Sequence, residues 1–302
     1  MVWLRTGLAG ILCLGLLCAC GAGSGGSGGG RGAEPQGPGS APVVSGSPEA
    51  SKTSGRKPPV VRVPRGVRVS YVVFERGRVV AERRSRQTFR SASVVKILIA
   101  LDYLERHRAS AADRALLQVM LRSSDDKAAT EFWRRGGQRQ VVERMVKKVG
   151  LAETAPPPGD KPGFWGYTAI SARDVVKTYR YLLEKAPKGQ REFVLEQLRR
   201  STPCGTDGFD QTFGIPSAAK RPWAVKQGWS GFGDVPAEPC RKGGARPAAW
   251  QPDLGLGRPV LHTTGVVGDG KIVVVLTLQP AGTSFRTASA RVTDLARQLV
   301  RV

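Results

Sequence analysis

The sequence predicts an α+β fold, in which an antiparallel sheet built from both ends of the chain is flanked by N- and C-terminal helices and an all-helical subdomain is inserted between the sheet's two halves. Three observations carry this prediction. Valine-rich alternating segments stand early, at Val67 to Phe74, and late, at Pro259 to Val267 and Lys271 to Leu278; helical periodicity fills the interval; and an amphipathic helix closes the chain from Ser284 to Val302. Of the 302 residues, 40% are apolar, with 6 Trp, 9 Phe and 5 Tyr, which is enough for a sizeable core. Global disorder, collagen-like and coiled-coil classes are thereby excluded. No apolar run is long enough for a spanning helix.

The elements follow in order. Residues 1–19 read as a secretory leader: Arg5 supplies positive charge, Leu8 to Leu17 a short apolar stretch, and Leu17-Cys18-Ala19-Cys20 a small-residue cleavage pattern. The last four residues resemble a bacterial lipobox, which implies cleavage before Cys20 and lipid on its sulfur; a plain signal peptide is the alternative. Two or three acyl chains at about 0.8 kcal/mol per buried CH₂ would anchor the chain durably. Leader and composition together resemble actinobacterial lipoproteins. Residues 20–60 are dominated by Gly, Ser, Pro and Ala and read as a disordered tether, whose roughly forty residues reach about 35 Å. Residues 61–302 are left for the folded domain, with a sheet part at 61–90 and 205–302 and a helical part at 91–204.

In that domain, Val67 to Phe74 and Val79 to Glu82 form a hairpin around Arg76-Gly77-Arg78. From Ser93, the residues Val94, Val95, Ile97, Leu98, Ile99, Leu101 and Leu104 make a helix apolar on nearly every side, hence one at the centre of a helical layer. Further helices are expected at Ser110 to Arg122, Asp126 to Trp133, Gln138 to Val149, Ser171 to Glu184 and Lys188 to Arg199. Strands resume at Trp223 to Gln227, and Gly268-Asp269-Gly270 turns the final hairpin. Once the leader is removed and Cys20 lipidated, Cys204 and Cys240 are left to pair, although two free thiols remain an alternative. A disulfide closing that loop would contribute roughly 3 to 4 kcal/mol in the chain-entropy model. With only His107 and His262 present and no ligand cluster beside them, no metal or other cofactor is expected.

Chemistry enters at Ser93-Val94-Val95-Lys96, where a serine opens the buried helix and a lysine lies three residues on, nearly one turn away. Both side chains then share a face, the helix dipole favours the alkoxide, and a desolvated lysine can accept the serine's proton. Alone this spacing is weak. A second element, Ser124-Asp125-Asp126, and a third, Lys226-Gln227-Gly228, follow in order. With them, the stretch from about Val67 to Val302 resembles the class A β-lactamase and penicillin-binding serine hydrolase superfamily, whose signatures are Ser-x-x-Lys, Ser-Asp-Asn and Lys-Thr-Gly. Gly136-Gly137, Gly150-Leu151 with Thr154, and Thr168 to Asp174 extend the likeness.

The resemblance implies Ser93 as acylated nucleophile and Lys96 as its proton acceptor, directly or through water. It implies Ser124 as proton relay to the leaving nitrogen and Asp126 as the residue that orients the lysine and meets a substrate amide. Lys226 would supply positive charge, and the backbone N–H groups of Ser93 and Trp229 would form an oxyanion hole. Gln227, Gly228 and His262 would line the substrate subsite. His262 would take the place of a carboxylate-gripping arginine, or else be packed or at the surface, and His107 is expected to be solvated.

Three departures bear on turnover. Asp126 stands where the family has Asn and adds negative charge beside Lys96, weakening it as a base. Gln227 replaces a small Thr and is expected to intrude on the carboxylate subsite. Between Thr154 and Thr168, where the family's loop supplies a glutamate to activate the deacylating water, only Asp160 is acidic, and it reads as a turn residue. An acyl-enzyme would then persist.

The segment Ser230 to Arg258 is long for a strand connection and either roofs the site or is a disulfide-pinned surface insertion. A formal charge of +23 suits anionic headgroups or wall polymers; its basic residues are scattered, no nucleic-acid-binding motif is present, and no nucleic acid is expected as a partner. The leading expectation is a lipid-anchored monomer on the extracellular face of the cell membrane, acylated at Ser93 by β-lactams or D-alanyl peptides of peptidoglycan. The alternatives are a wall- or partner-binding lipoprotein without turnover, and an esterase using the same serine.

Overall fold

The computed structural model describes residues 60–240 and 258–302. The expected leader, Cys20, the tether up to residue 59 and the middle of the segment from Ser230 to Arg258 lie outside the described residues.

Strands β1 (Arg68–Glu75), β2 (Arg78–Arg83), β5 (Trp223–Ser230), β6 (Val260–Val267) and β7 (Lys271–Leu278) form one antiparallel sheet in the order β2-β1-β7-β6-β5. The early hairpin and the late strands thus meet at the β1–β7 ladder. Its central strand shows why two apolar faces are needed. In β7, Val273 and Val275 pack with Leu295 and Leu299 of the terminal helix α8 (Phe285–Val300), whereas Val274 and Leu276 join the core shared with the helical layer. Period-two alternation sends neighbouring valines to opposite sides, so a strand covered on both faces is apolar throughout.

The helical layer comprises α1 (Lys96–Arg106), α2 (Ala111–Arg122), α3 (Asp126–Arg135), α4 (Arg139–Val149), α5 (Ala172–Arg180) and α6 (Lys188–Arg199). All of α1 from Lys96 to Leu104 is buried, and α2, α3, α4 and α6 pack around it. Helix α5 lies on β1 and β7 and joins this layer to the sheet. Ser110 and Asp113 form a reciprocal cap at the start of α2, Asp125 caps α3 and Ser171 caps α5.

Five features depart from the sequence expectation. The expected N-terminal helix has no counterpart among the described residues: the chain ahead of β1 is irregular, with the Arg62 N–H donating to Gln298 Oε1 of α8 at 2.8 Å. The inserted part is not wholly helical, since Thr88–Arg90 (β3) pairs with Ala169–Ser171 (β4) in a two-stranded ribbon. The buried helix opens with a 3-10 turn, Ala92–Val95, and α5 runs on as a π turn, Tyr181–Lys185. A short helix, α7 (Ile215–Ala218), precedes β5. Cys204 and Cys240 are disulfide-bonded, their Cα atoms 5.7 Å apart.

Candidate active site

The 3-10 turn sets Ser93 and Lys96 on one face, with Ser93 Oγ 2.8 Å from Lys96 Nζ. Ala92, immediately before the serine, has φ 45°, a left-handed conformation that costs about 1–3 kcal/mol for a residue with a Cβ and persists only where its surroundings enforce it. Part of that enforcement is β5. A Cβ added at Gly228 would lie 3.0 Å from Ser91 O and 3.1 Å from the Val94 side chain, so only glycine lets the strand pass this close to the turn.

Ser124 joins α2 to α3, also with a left-handed φ, of 55°. Its carbonyl accepts from Lys96 Nζ at 2.6 Å, and its Oγ lies 3.3 Å from the same nitrogen. At the first residue of α3, Asp126 Oδ1 accepts from Lys96 at 2.6 Å. The contacts to Ser93 Oγ, Ser124 O and Asp126 Oδ1 match the three donors of an ammonium. From the sheet side, Lys226 Nζ reaches Ser124 Oγ at 2.8 Å. Residues 93, 96, 124 and 226 therefore converge on one hydrogen-bonded cluster drawn from a turn, a helix, a loop and a strand. Both amines are buried, but burial, followed by repulsion from Lys96, drives Lys226 well below the ordinary lysine range, toward the neutral amine.

A pocket beside this cluster is lined by Ser93, Asp126, Trp165, Asp207 and Trp229, with Ala92, Gly166, Tyr167 and Ser230 completing it. Ser93 and Trp229, the two residues expected to supply oxyanion donors, thus share one cavity. Asp207 and Trp165, which the sequence does not single out, make specific contacts here. Asp207 accepts from the Trp229 indole N–H at 2.8 Å and from the Phe209 N–H at 3.2 Å, and burial raises its carboxyl above the usual range against those bonds. It stands in a Gly-Thr-Asp-Gly turn that reads as an ordinary loop. Trp165 lies in the loop where a glutamate was sought, its ring centroid 4.6 Å from Lys96 Nζ.

Two expected substrate contacts are corrected. Gln227 does not enter the carboxylate subsite: successive residues of β5 face opposite ways, and while Lys226 points to the cluster, buried Gln227 donates backwards to Phe213 O at 2.5 Å. His262 is fully buried, so the packed reading holds. It accepts from the Thr277 N–H at Nδ1 (3.2 Å) and therefore donates from Nε2 to Arg90 O at 2.9 Å, tying β6 and β7 to β3. Burial pushes its pKa down to about 4. His107 is exposed and stacks on Tyr103. Asp160 is exposed beside Lys161. Asp174, at the start of α5, fixes the chain before the loop: burial opposes its ionisation, but the N–H groups of Ala152 and Glu153, with Thr154, outweigh it and lower its pKa. Among the described residues no group of side chains could hold a metal ion.

No family model matches the chain. A protein named "Putative lipoprotein LppW", from Mycobacterium tuberculosis and from Mycobacterium bovis, is 35% identical over 248 residues, which cover 78% of this chain and 70% of the relative. Among solved structures, a class A β-lactamase from Mycobacterium abscessus superposes with TM-score 0.56 at 16% identity, covering 78% of this chain and 94% of its own. A β-lactamase from Xanthomonas campestris gives 0.57 at 14% identity, over 78% and 91%. A PBP-A variant, held as an acyl-enzyme with penicillin G, gives 0.55 at 14%, over 78% and 90%. The chain has the fold that these three share.

Proposed function

We propose, since the chain belongs to the LppW lipoprotein family and has the fold of class A β-lactamases, that it is a serine acyl-transfer protein of the cell envelope. Ser93 forms an ester with β-lactams or D-alanyl peptides and loses it slowly. The observation that carries this reading is the unbroken run of contacts from Ser93 Oγ to Lys96 Nζ, Ser124 Oγ and Lys226 Nζ, at 2.8, 3.3 and 2.8 Å.

The run defines a proton path. Lys226, pushed toward the neutral amine by burial, takes the Ser124 hydroxyl proton, and Ser124 is replenished from Lys96. Lys96, now an amine, accepts the proton of Ser93 as Oγ attacks the carbonyl carbon. Developing negative charge on the carbonyl oxygen is met by the N–H groups of Ser93 and Trp229, an effect typically worth about 3 to 4 kcal/mol. When the C–N bond breaks, the proton stored on Lys226 returns through Ser124 to the leaving nitrogen. In a β-lactam that nitrogen stays tethered, so the adduct keeps every atom of the ligand.

Intact-mass measurement over time after mixing with penicillin tests the reading. A mass increase equal to the whole ligand is expected, absent in Ser93→Ala; no adduct at millimolar ligand would sink it. A lipid on Cys20 would hold the protein on the outer side of the membrane, and Cys20→Ser should release it from the membrane fraction. The ion pair between Lys96 and Asp126 favours a second reading, a cell-wall-binding lipoprotein without turnover. In that case peptidoglycan fragments should bind Ser93→Ala as tightly as the unsubstituted protein.

A further inference from the structure

An acyl-Ser93 ester is lost only if a water molecule reaches its carbonyl carbon and a nearby group takes the water's proton. The surroundings of Lys96 bear directly on both needs. Its Nζ is fully buried, and its three donors are taken up by Ser93 Oγ, Ser124 O and Asp126 Oδ1. The Trp165 ring covers a further side, 4.6 Å from the nitrogen. That ring is firmly held. Trp165 is 5% exposed and its indole N–H donates to Thr130 Oγ1 of α3 at 3.2 Å. It opens the 3-10 turn Trp165–Tyr167, where the Gly166 carbonyl accepts from Ser91 Oγ at 3.3 Å, next to the nucleophile turn. An indole face attracts an ammonium through its quadrupole but offers no lone pair to take a proton.

We propose that Trp165 is a positioning residue that sets the lifetime of acyl-Ser93 by keeping water from the buried space beside Lys96, whereas the Asp126 side chain, one-third exposed, borders the pocket. This rests on the acyl-Ser93 reading. Hydrolysis would need a water whose oxygen bonds the ester carbon while one of its protons passes to the Asp126 carboxylate. The ester C–O bond then breaks, and Ser93 Oγ recovers that proton as the free acid leaves. The indole borders the pocket that Ser93 and Asp126 also line, and it fills volume beside Lys96 that such a water could otherwise take. Removing the ring opens that volume, and the protein gains turnover instead of losing it.

The test follows the penicillin adduct by intact mass in the unsubstituted protein and in Trp165→Ala, Trp165→Phe and Thr130→Val. In Trp165→Ala the adduct should decay at least about tenfold faster, a gain in deacylation larger than any change in the acylation rate, which general loosening of the site would not give. Trp165→Phe keeps a ring in place and should keep the lifetime within about threefold. Equal lifetimes in a folded Trp165→Ala and the unsubstituted protein would overturn the proposal. Should Trp165→Ala fail to fold, Thr130→Val, a change at an exposed side chain that removes the indole's acceptor, should shorten the lifetime about two- to threefold, and no change there would equally overturn it. No adduct on any form would instead sink the acyl-Ser93 reading and this proposal with it.

Discussion

Lys96 and Lys226 are both buried amines that contact Ser124, yet their surroundings differ in one decisive respect. Lys96 has a carboxylate at 2.6 Å, a carbonyl at 2.6 Å and an aromatic face, so an ammonium there is fully matched. Lys226 has a hydroxyl at 2.8 Å and the Gln227 carbonyl at 3.3 Å, while Asp126 and Asp207 pull on it only from a distance. Burial alone does not decide whether a lysine stores a proton or receives one. The partner does, and the two lysines at the ends of one hydrogen-bonded run have different electrostatic surroundings.

The sharpest way to break that contrast is Lys226→Met, which should slow acylation on the order of 10²- to 10³-fold by removing the proton store. The same change should raise stability at neutral pH. Lys226 is depressed in the folded state, so between that depressed value and about 10.5 the unfolded chain binds the extra proton, and stability climbs with pH across this window. The gain in Tm from Lys226→Met should accordingly be large at pH 7 and fade as pH approaches 10.5. A variant that is less stable at pH 7 would show that Lys226 is charged and compensated by its neighbours.

His262 provides a control: a buried base whose neutral form is satisfied by the backbone. Its value near 4 against an ordinary 6.5 means its contribution is complete above about pH 6.5 and is lost as pH falls toward 4, about 3 kcal/mol in all. Urea titrations at pH 7 and pH 4.5 should show this loss, and it should be reduced in His262→Gln. Next in size is Asp126→Asn. Taking the carboxylate from Lys96 makes its surroundings more like those of Lys226, and acylation should speed up by about tenfold, read from the rate of adduct formation. A slower rate would mean that the ion pair serves orientation above all. Asp160→Asn, in the same loop as Trp165 but facing solvent, should change neither rate nor stability by more than about 0.5 kcal/mol.

Much of the fold was legible because its signals are local and redundant. The hairpin turn at Gly268-Asp269-Gly270, the continuous apolar face of α1 and the valine runs of β1 and β7 each identify their element alone. The ribbon of β3 and β4 was not, since three-residue strands leave no periodicity to count. Within the site, spacing along one helix placed Lys96 beside Ser93, whereas the positions of Ser124 and Lys226 came from the resemblance and not from physics readable in the chain. Side-chain directions that depend on register were not legible in the sequence. Gln227 and His262 sit where a one-residue alternation decides between pocket and core, and motif matching reports position without facing. Trp165 and Asp207 went unseen because an aromatic and an acid in loops have no spacing rule to announce them.

The Cys204–Cys240 crosslink ties the pocket's rim to the history of the molecule. It anchors the loop in which Asp207 meets Trp229, and the Cys240 N–H donates to Gly208 O at 2.9 Å, just past that aspartate. A chain kept in a reducing compartment would carry all four cluster residues yet have a loosened wall beside them. Reduction of that bond should therefore slow acylation at Ser93 while leaving the bulk of the fold in place.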